Sequence, residues 1–184
     1  MFTIRRHDHF ATLAILSAWL VLPTPSHGET TGSPLSIGRA ASAADIARWD
    51  IDVGPDGAGL PAGGGTARQG EAIYAGKCAG CHGSDGQKGR DKLAGPSGET
   101  GHKTIGNYWP YATTLFDYIR RAMPPVEPGS LTDAEVYALT AYILHLNSII
   151  AVDEQMNAES LPRVDMPARE RFVPDERYGG AEVR

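Results

Sequence analysis

The sequence predicts a small all-α domain with irregular segments before and after it. Two capping boxes, Thr66-Ala67-Arg68-Gln69 and Thr132-Asp133-Ala134-Glu135, each open a run whose apolar residues recur at helical spacing. The stretches between and around those runs hold most of the 22 glycines and 13 prolines, so much of the chain is loop. With 184 residues and 41% hydrophobic positions there is enough for one ordinary domain plus extensions, and too little for two full ones. The formal charge of −5, with no basic run, argues against a nucleic-acid partner, which needs a cationic footprint. Two cysteines cannot build a disulfide-rich scaffold or a four-cysteine zinc or iron–sulfur site.

Residues 1–28 have the layout of a secretory signal peptide. Arg5 and Arg6 give a positive start, Phe10 to Leu22 is mostly apolar, and Ser26-His27-Gly28 offers small residues before a cut near Gly28. A 13-residue apolar run is too short for a bilayer, which needs about 20 residues, and no later stretch qualifies as a span. The expected product is an exported, mildly acidic protein with a periplasmic location and no membrane span.

Residues 29–65 form an irregular N-terminal extension. Within it Ser42 caps a short helix reaching to about Trp49, and Asp50 to Gly65 is too rich in glycine and proline for a long element. Residues 66–152 are the expected domain. Thr66 starts a helix to about Lys77, with Ile73 and Tyr74 on its buried side. Residues 78–112 read as loop, dense in glycine at 80, 83, 86, 89, 95, 98, 101 and 106. Thr113 to about Arg121 is a helix with Leu115, Phe116 and Ile119 at its spacing, ended by Pro124-Pro125. Thr132 opens the strongest helix, along Val136, Leu139, Ile143, Leu146 and Ile150. Residues 153–184 are charged and broken by Pro162, Pro167 and Pro174. They read as a partner-binding or surface-wrapping extension, or as disordered chain.

The chemistry lies in Cys78-Ala79-Gly80-Cys81-His82, the C-x-x-C-H haem-attachment signature. Two thiols at this spacing reach two vinyl groups of one porphyrin, and the adjoining imidazole turns under the ring to ligate iron. A redox C-x-x-C does not require the following His and expects a strand before it, whereas here a capped helix precedes it. A zinc site would need two further ligands at metal spacing. One covalently attached haem c is therefore the expected cofactor, with His82 as the proximal ligand.

From these residues the chain resembles class I cytochromes c over roughly residues 66–150. The resemblance implies an N-terminal and a C-terminal helix that cross, with haem in a loop-rich core. Gly70 and Tyr74 match the family's small-x-x-x-aromatic pair, and Tyr142 its aromatic on the last helix. Gly95-Pro96 matches the Gly-Pro after the haem motif, implying that the Pro96 carbonyl accepts the proximal imidazole Nδ1–H. Met123, in Arg120-Arg121-Ala122-Met123-Pro124, resembles the Met-Pro ligand loop and is the expected sixth ligand, with His102 its chief competitor. His145, on the last helix, reads as a satisfied imidazole. A thioether opposite an imidazole raises the potential and closes the iron to oxygen, which favours electron transfer over haem catalysis. No side chain is then expected to act as acid, base or nucleophile.

A narrower resemblance runs from about residue 38 to 150. Trp49-Asp50-Ile51-Asp52-Val53 with Gly59-Leu60-Pro61, and Trp109-Pro110-Tyr111 leading through Leu115-Phe116-Asp117-Tyr118-Ile119, look like the cytochrome subunits of sulfite and sulfane dehydrogenases, SoxD-type chains included. It implies a molybdenum-cofactor subunit as electron donor and a downstream cytochrome c or oxidase as acceptor. SoxD-type chains often carry a second haem domain, and this sequence has a single C-x-x-C-H. Trp109, Tyr108 and Tyr111 could border the haem or pack as ordinary core. Arg120 and Arg121 could offset propionate charge, meet an acidic partner, or stay solvated at a helix end. The Trp49 segment and the tail could hold a catalytic subunit or wrap their own domain. Two other readings stay open at this point: a free-standing shuttle cytochrome, and a haem enzyme or gas sensor with an open distal face.

Overall fold

The computed structural model describes residues 37–89, 91–95 and 102–173. The signal-peptide reading of 1–28, the proposed role of Pro96 and the last eleven residues of the tail lie outside them. The chain divides into Met1–Ala41 and Ser42–Arg184, and the account below concerns the second unit. Its helices are α1 (Ala43–Ala47), α2 (Ala67–Lys77), α3 (Ala79–His82), α4 (Ile105–Tyr108), α5 (Ala112–Ala122) and α6 (Asp133–Leu146). Two short strands, β1 (Gly64–Thr66) and β2 (Gln155–Asn157), pair antiparallel with Gly65 opposite Met156. None of the described helices is long and apolar enough to cross a membrane.

Both capping boxes form. Thr66 Oγ1 accepts the Gln69 N–H while the Gln69 side chain accepts from the Thr66 N–H, and Thr132 and Glu135 repeat the exchange. Helices α2 and α6 then pack across each other, and glycine allows it. A Cβ on Gly70 would collide with the Ala138 carbonyl, and one on Gly65 would lie 2.6 Å from the Ala138 nitrogen. Beside this crossing the Tyr74 and Tyr142 rings meet with centroids 5.0 Å apart. Helix α5 adds Leu115, Phe116 and Ile119 to the same core, with the Phe116 ring 4.4 Å from that of Tyr137.

The structure departs from the sequence reading in two places. The stretch expected to be loop contains α3 and α4. Helix α4 opens on a capping exchange between Thr104 and Asn107, where asparagine replaces the Glu or Gln of the usual pattern. Helix α6 ends at Leu146, so Ile150 joins the core from beyond the helix. The tail past residue 152 is ordered against its own domain. Strand β2 zips onto β1, and Met156, Leu161, Met166 and Ala168 are buried. Of the alternatives open for the tail, the described residues therefore take the wrapping one.

The N-terminal extension is fastened in a similar way. Asp117, buried on α5, accepts the Val53 N–H at 3.0 Å and pairs with Arg121, while Arg120 donates to the Ile51 carbonyl and bridges to Asp133. Arg120 thus holds the passing extension and Arg121 pairs within α5, and neither lines the cavity that carries Cys78, Cys81 and His82, so of their alternatives the propionate one has no support. Trp49, at the edge of this clamp, remains 85% exposed.

Candidate haem site

Cys78, Cys81 and His82 come together because one tight turn carries all three. Cys78 ends α2, and its carbonyl accepts both the Cys81 N–H at 3.1 Å and the His82 N–H at 3.0 Å, winding α3 on directly. Gly83 stops α3 at a φ of 78°, a conformation that L side chains resist. Its carbonyl is held by the Tyr74 hydroxyl at 2.9 Å, so α2 braces the turn that follows the imidazole. The two thiols are free, Cys81 exposed and Cys78 half-buried, and burial pushes the Cys78 thiol up to about 11.

His82 Nδ1 lies 2.8 Å from the Asp91 carbonyl. A carbonyl can only accept, so Nδ1 carries the proton and Nε2 keeps its lone pair for a metal. This is the interaction the resemblance assigned to Pro96. Here the backbone acceptor is Asp91, and Pro96 lies outside the described residues.

A cavity of about 510 Å³ opens against this turn. Cys78, Cys81 and His82 line one part of it, and Met123, Trp109, Leu115, Ile119, Leu139 and Ile143 line others. Met123 arrives there as the first residue beyond α5, in extended conformation, with its N–H still bonded to the Ile119 carbonyl at 3.1 Å. Five of the six expected site residues thus share one cavity. His102 also lines it, so both candidates for the sixth ligand are within the site. His145 is elsewhere, its Nδ1 3.0 Å from the Ile150 carbonyl.

Trp109 stands edge-on to Tyr118, with ring centroids 5.9 Å apart, and both line the cavity. Tyr108 and Tyr111 do not line it: they meet Phe172 and Arg169 of the tail. Ile73, on the buried side of α2 as its spacing predicts, packs on the core outside the cavity. Sequence reasoning missed Tyr118, Lys92, Lys103 and Thr104 among the lining residues. Tyr118 was legible as lying three residues after Leu115 on one helix, whereas the lysines and Thr104 come from loop without a periodic signal.

The donor set fits a haem. Two thiols one turn apart, an imidazole with a free Nε2 and a thioether surround an apolar space, which is the protein side of covalent attachment and His/Met ligation. Among the described residues no group of three or more His, Cys, Asp or Glu side chains gathers to hold a bare metal ion.

Comparison with known proteins agrees with this chemistry. The family model described as cytochrome c oxidase, cbb3-type, subunit III matches residues 65–143. A search of the curated proteins found no match. Among solved structures, the chain is similar to the sulfane dehydrogenase SoxCD from Paracoccus pantotrophus, at 39% identity and a TM-score of 0.70, covering 78% of this chain and 73% of that one. The protein belongs to the cytochrome c family, with haem c as the implied cofactor and electron transfer as the implied work. Within that family it resembles the SoxD-type cytochrome subunit of sulfane dehydrogenases.

Proposed function

We propose that the protein is a periplasmic, single-haem cytochrome of the class I fold that carries one electron at a time. We further propose that it is the electron-accepting subunit of a molybdenum-dependent sulfite or sulfane dehydrogenase. The observation that carries the first part is the shared cavity of Cys78, Cys81, His82 and Met123. In this reading Cys78 and Cys81 hold the haem covalently, His82 is the proximal ligand and Met123 the distal one. When bound, the haem supplies reversible one-electron exchange between ferric and ferrous iron.

The chain's own residues set the conditions for that exchange. The Asp91 carbonyl, accepting the Nδ1 proton, orients the His82 ring and makes it a stronger donor. The Met123 thioether favours the reduced state and occupies the position that oxygen or peroxide would need. Leu115, Ile119, Leu139 and Ile143 keep water from the centre. With His82 and Met123 as its ligands the iron would offer no open site to a substrate, so transfer would be outer-sphere, with no side chain acting as acid, base or nucleophile. The haem enzyme or gas-sensor reading has no comparable support.

The partner rests on the likeness to SoxCD, a sulfane dehydrogenase. The tail covers its own domain and so adds no separate argument for a subunit. The exported location rests on the signal-peptide pattern of residues 1–28 and on haem attachment outside the cytoplasm. A downstream cytochrome c or oxidase completes the path.

Expression with export should yield one pyridine haemochrome per chain and a methionine-to-iron charge-transfer band in the ferric spectrum. Met123→Ala should abolish the band and let the reduced protein bind carbon monoxide, while His102→Ala should change neither. A colourless product refutes the haem, and a band that survives in Met123→Ala refutes the ligand. Co-elution with a molybdenum protein supports the subunit role, and a monomer eluting without one returns the chain to a free-standing shuttle.

A further inference from the structure

The wall of the cavity that carries Trp109 is weakly built from within. Helix α4 is a single turn of four residues, too short to be stable alone, and Trp109 follows it in extended conformation before Pro110. The Trp109 N–H reaches the Ile105 carbonyl only at 3.3 Å. Beyond the Tyr118 ring and the Thr104–Asn107 cap, further support comes from the far end of the chain. Three side chains from the turn at Arg169–Arg171 and its next residue grip both sides of Trp109. The Arg171 guanidinium donates to the Asn107 carbonyl at 3.2 Å, the Phe172 ring meets that of Tyr108 edge-on at 5.5 Å, and the Arg169 guanidinium lies 5.3 Å from the Tyr111 ring centre. The base of this strap is fixed, since Met166 and Ala168 are buried and the Arg169 N–H bonds the Met166 carbonyl at 3.0 Å.

We propose that Arg169, Arg171 and Phe172 are positioning residues: the tail is a strap that holds the Trp109 wall against the haem cavity and thereby sets how much water reaches the cofactor. The inference rests on the haem reading above and concerns a segment outside the cytochrome domain as first drawn. Water at the site favours the more highly charged ferric form, so a loosened wall lowers the reduction potential. None of the three side chains lines the cavity, so their effect passes through residues 107–111.

The test uses the holoprotein and the double variant Arg171→Ala/Phe172→Ala. Phe172 is 46% exposed, so folding should survive the change. At an ambient potential set to the wild-type midpoint, the ferric-to-ferrous ratio should rise at least threefold, or about 28 mV on a scale of about 59 mV per tenfold. The methionine band should persist, and the conservative single variant Phe172→Tyr, with Arg171 intact, should keep the wild-type ratio. Hydrogen exchange at the Trp109 amide should accelerate at least tenfold in the double variant, a readout that does not depend on the iron ligands. Unchanged exchange at that amide overturns the strap, and faster exchange with an unchanged ratio overturns its role in the potential. Failure of the haem reading would look different, because the wild type itself would then lack haemochrome or the methionine band.

Discussion

Tyr74 shows how one side chain joins the helix crossing to the site. Its ring packs on Tyr142, and its hydroxyl donates to the Gly83 carbonyl just after the proximal histidine. Burial, with the nearby Cys78 thiol second, pushes the phenol from 10.0 up to about 12. The folded chain therefore keeps a proton that the unfolded chain gives up near pH 10. This contribution to stability is complete below pH 10 and is lost as pH rises from 10 towards 12. Tyr74→Phe should flatten that alkaline loss while costing about 1 kcal/mol at neutral pH for the missing hydrogen bond. Urea unfolding of both proteins across this range measures the two effects. Gly70 is the complementary case, where any side chain is too large. Gly70→Val should cost about 1–3 kcal/mol, because α2 must move off the Ala138 carbonyl, and it should broaden the haem spectrum as the crossing shifts.

At the scale of elements, the helices are secured at their starts and the extensions by clamps. In the α6 capping box the Glu135 carboxyl accepts from the Thr132 N–H and hydroxyl, with Lys77 3.2 Å away, and these contacts hold it below the usual carboxylate range. Such a depressed value contributes stability above the unfolded carboxylate pKa of about 4.3, and that contribution is lost as pH falls through the folded value. Thr132→Ala should lower stability by about 1 kcal/mol at neutral pH. The gap between variant and wild type should narrow on acidification below about pH 4, as chemical denaturation at several pH values would record. The clamp at Asp117 explains why residues near Val53 lie where they do without forming a helix or strand. A carboxylate in the interior of an amphipathic helix ordinarily faces water, and here it caps a passing backbone.

For the whole molecule the cavity is the deciding feature. With nothing in the cavity, the apolar side chains of Leu115, Ile119, Leu139 and Ile143 would face water, and their burial would be lost to the fold. The lining residues therefore need a bulky apolar occupant to form a lasting core, and covalent attachment keeps it in place. Cys78→Ser/Cys81→Ser should retain little haem and should lose cooperative thermal unfolding by circular dichroism. A haem-free variant that melted like the wild type would contradict the dependence of the fold on its cofactor.

Local signals proved legible where the physics is local. The two capping boxes and the 3.6-residue spacing located α2, α5 and the start of α6 to within a residue or two, because each is a contest among neighbours in sequence. The C-x-x-C-H spacing named the cofactor for the same reason, since its reach is contained within one turn of α3. Helix α4 escaped because four residues show no period, and its Thr104–Asn107 exchange departs from the usual pairing.

The sequence alone determined the cofactor chemistry, the three long helices and a tyrosine–glycine pair suited to a crossing. Tertiary structure alone decided that Asp91 supports the imidazole, that Arg120 holds the N-terminal extension, and that the tail reaches back to the flanks of Trp109. Those outcomes depend on residues from 9 to 69 positions apart meeting in space. Contacts over such separations follow from how the whole core packs, and no short window of sequence records them.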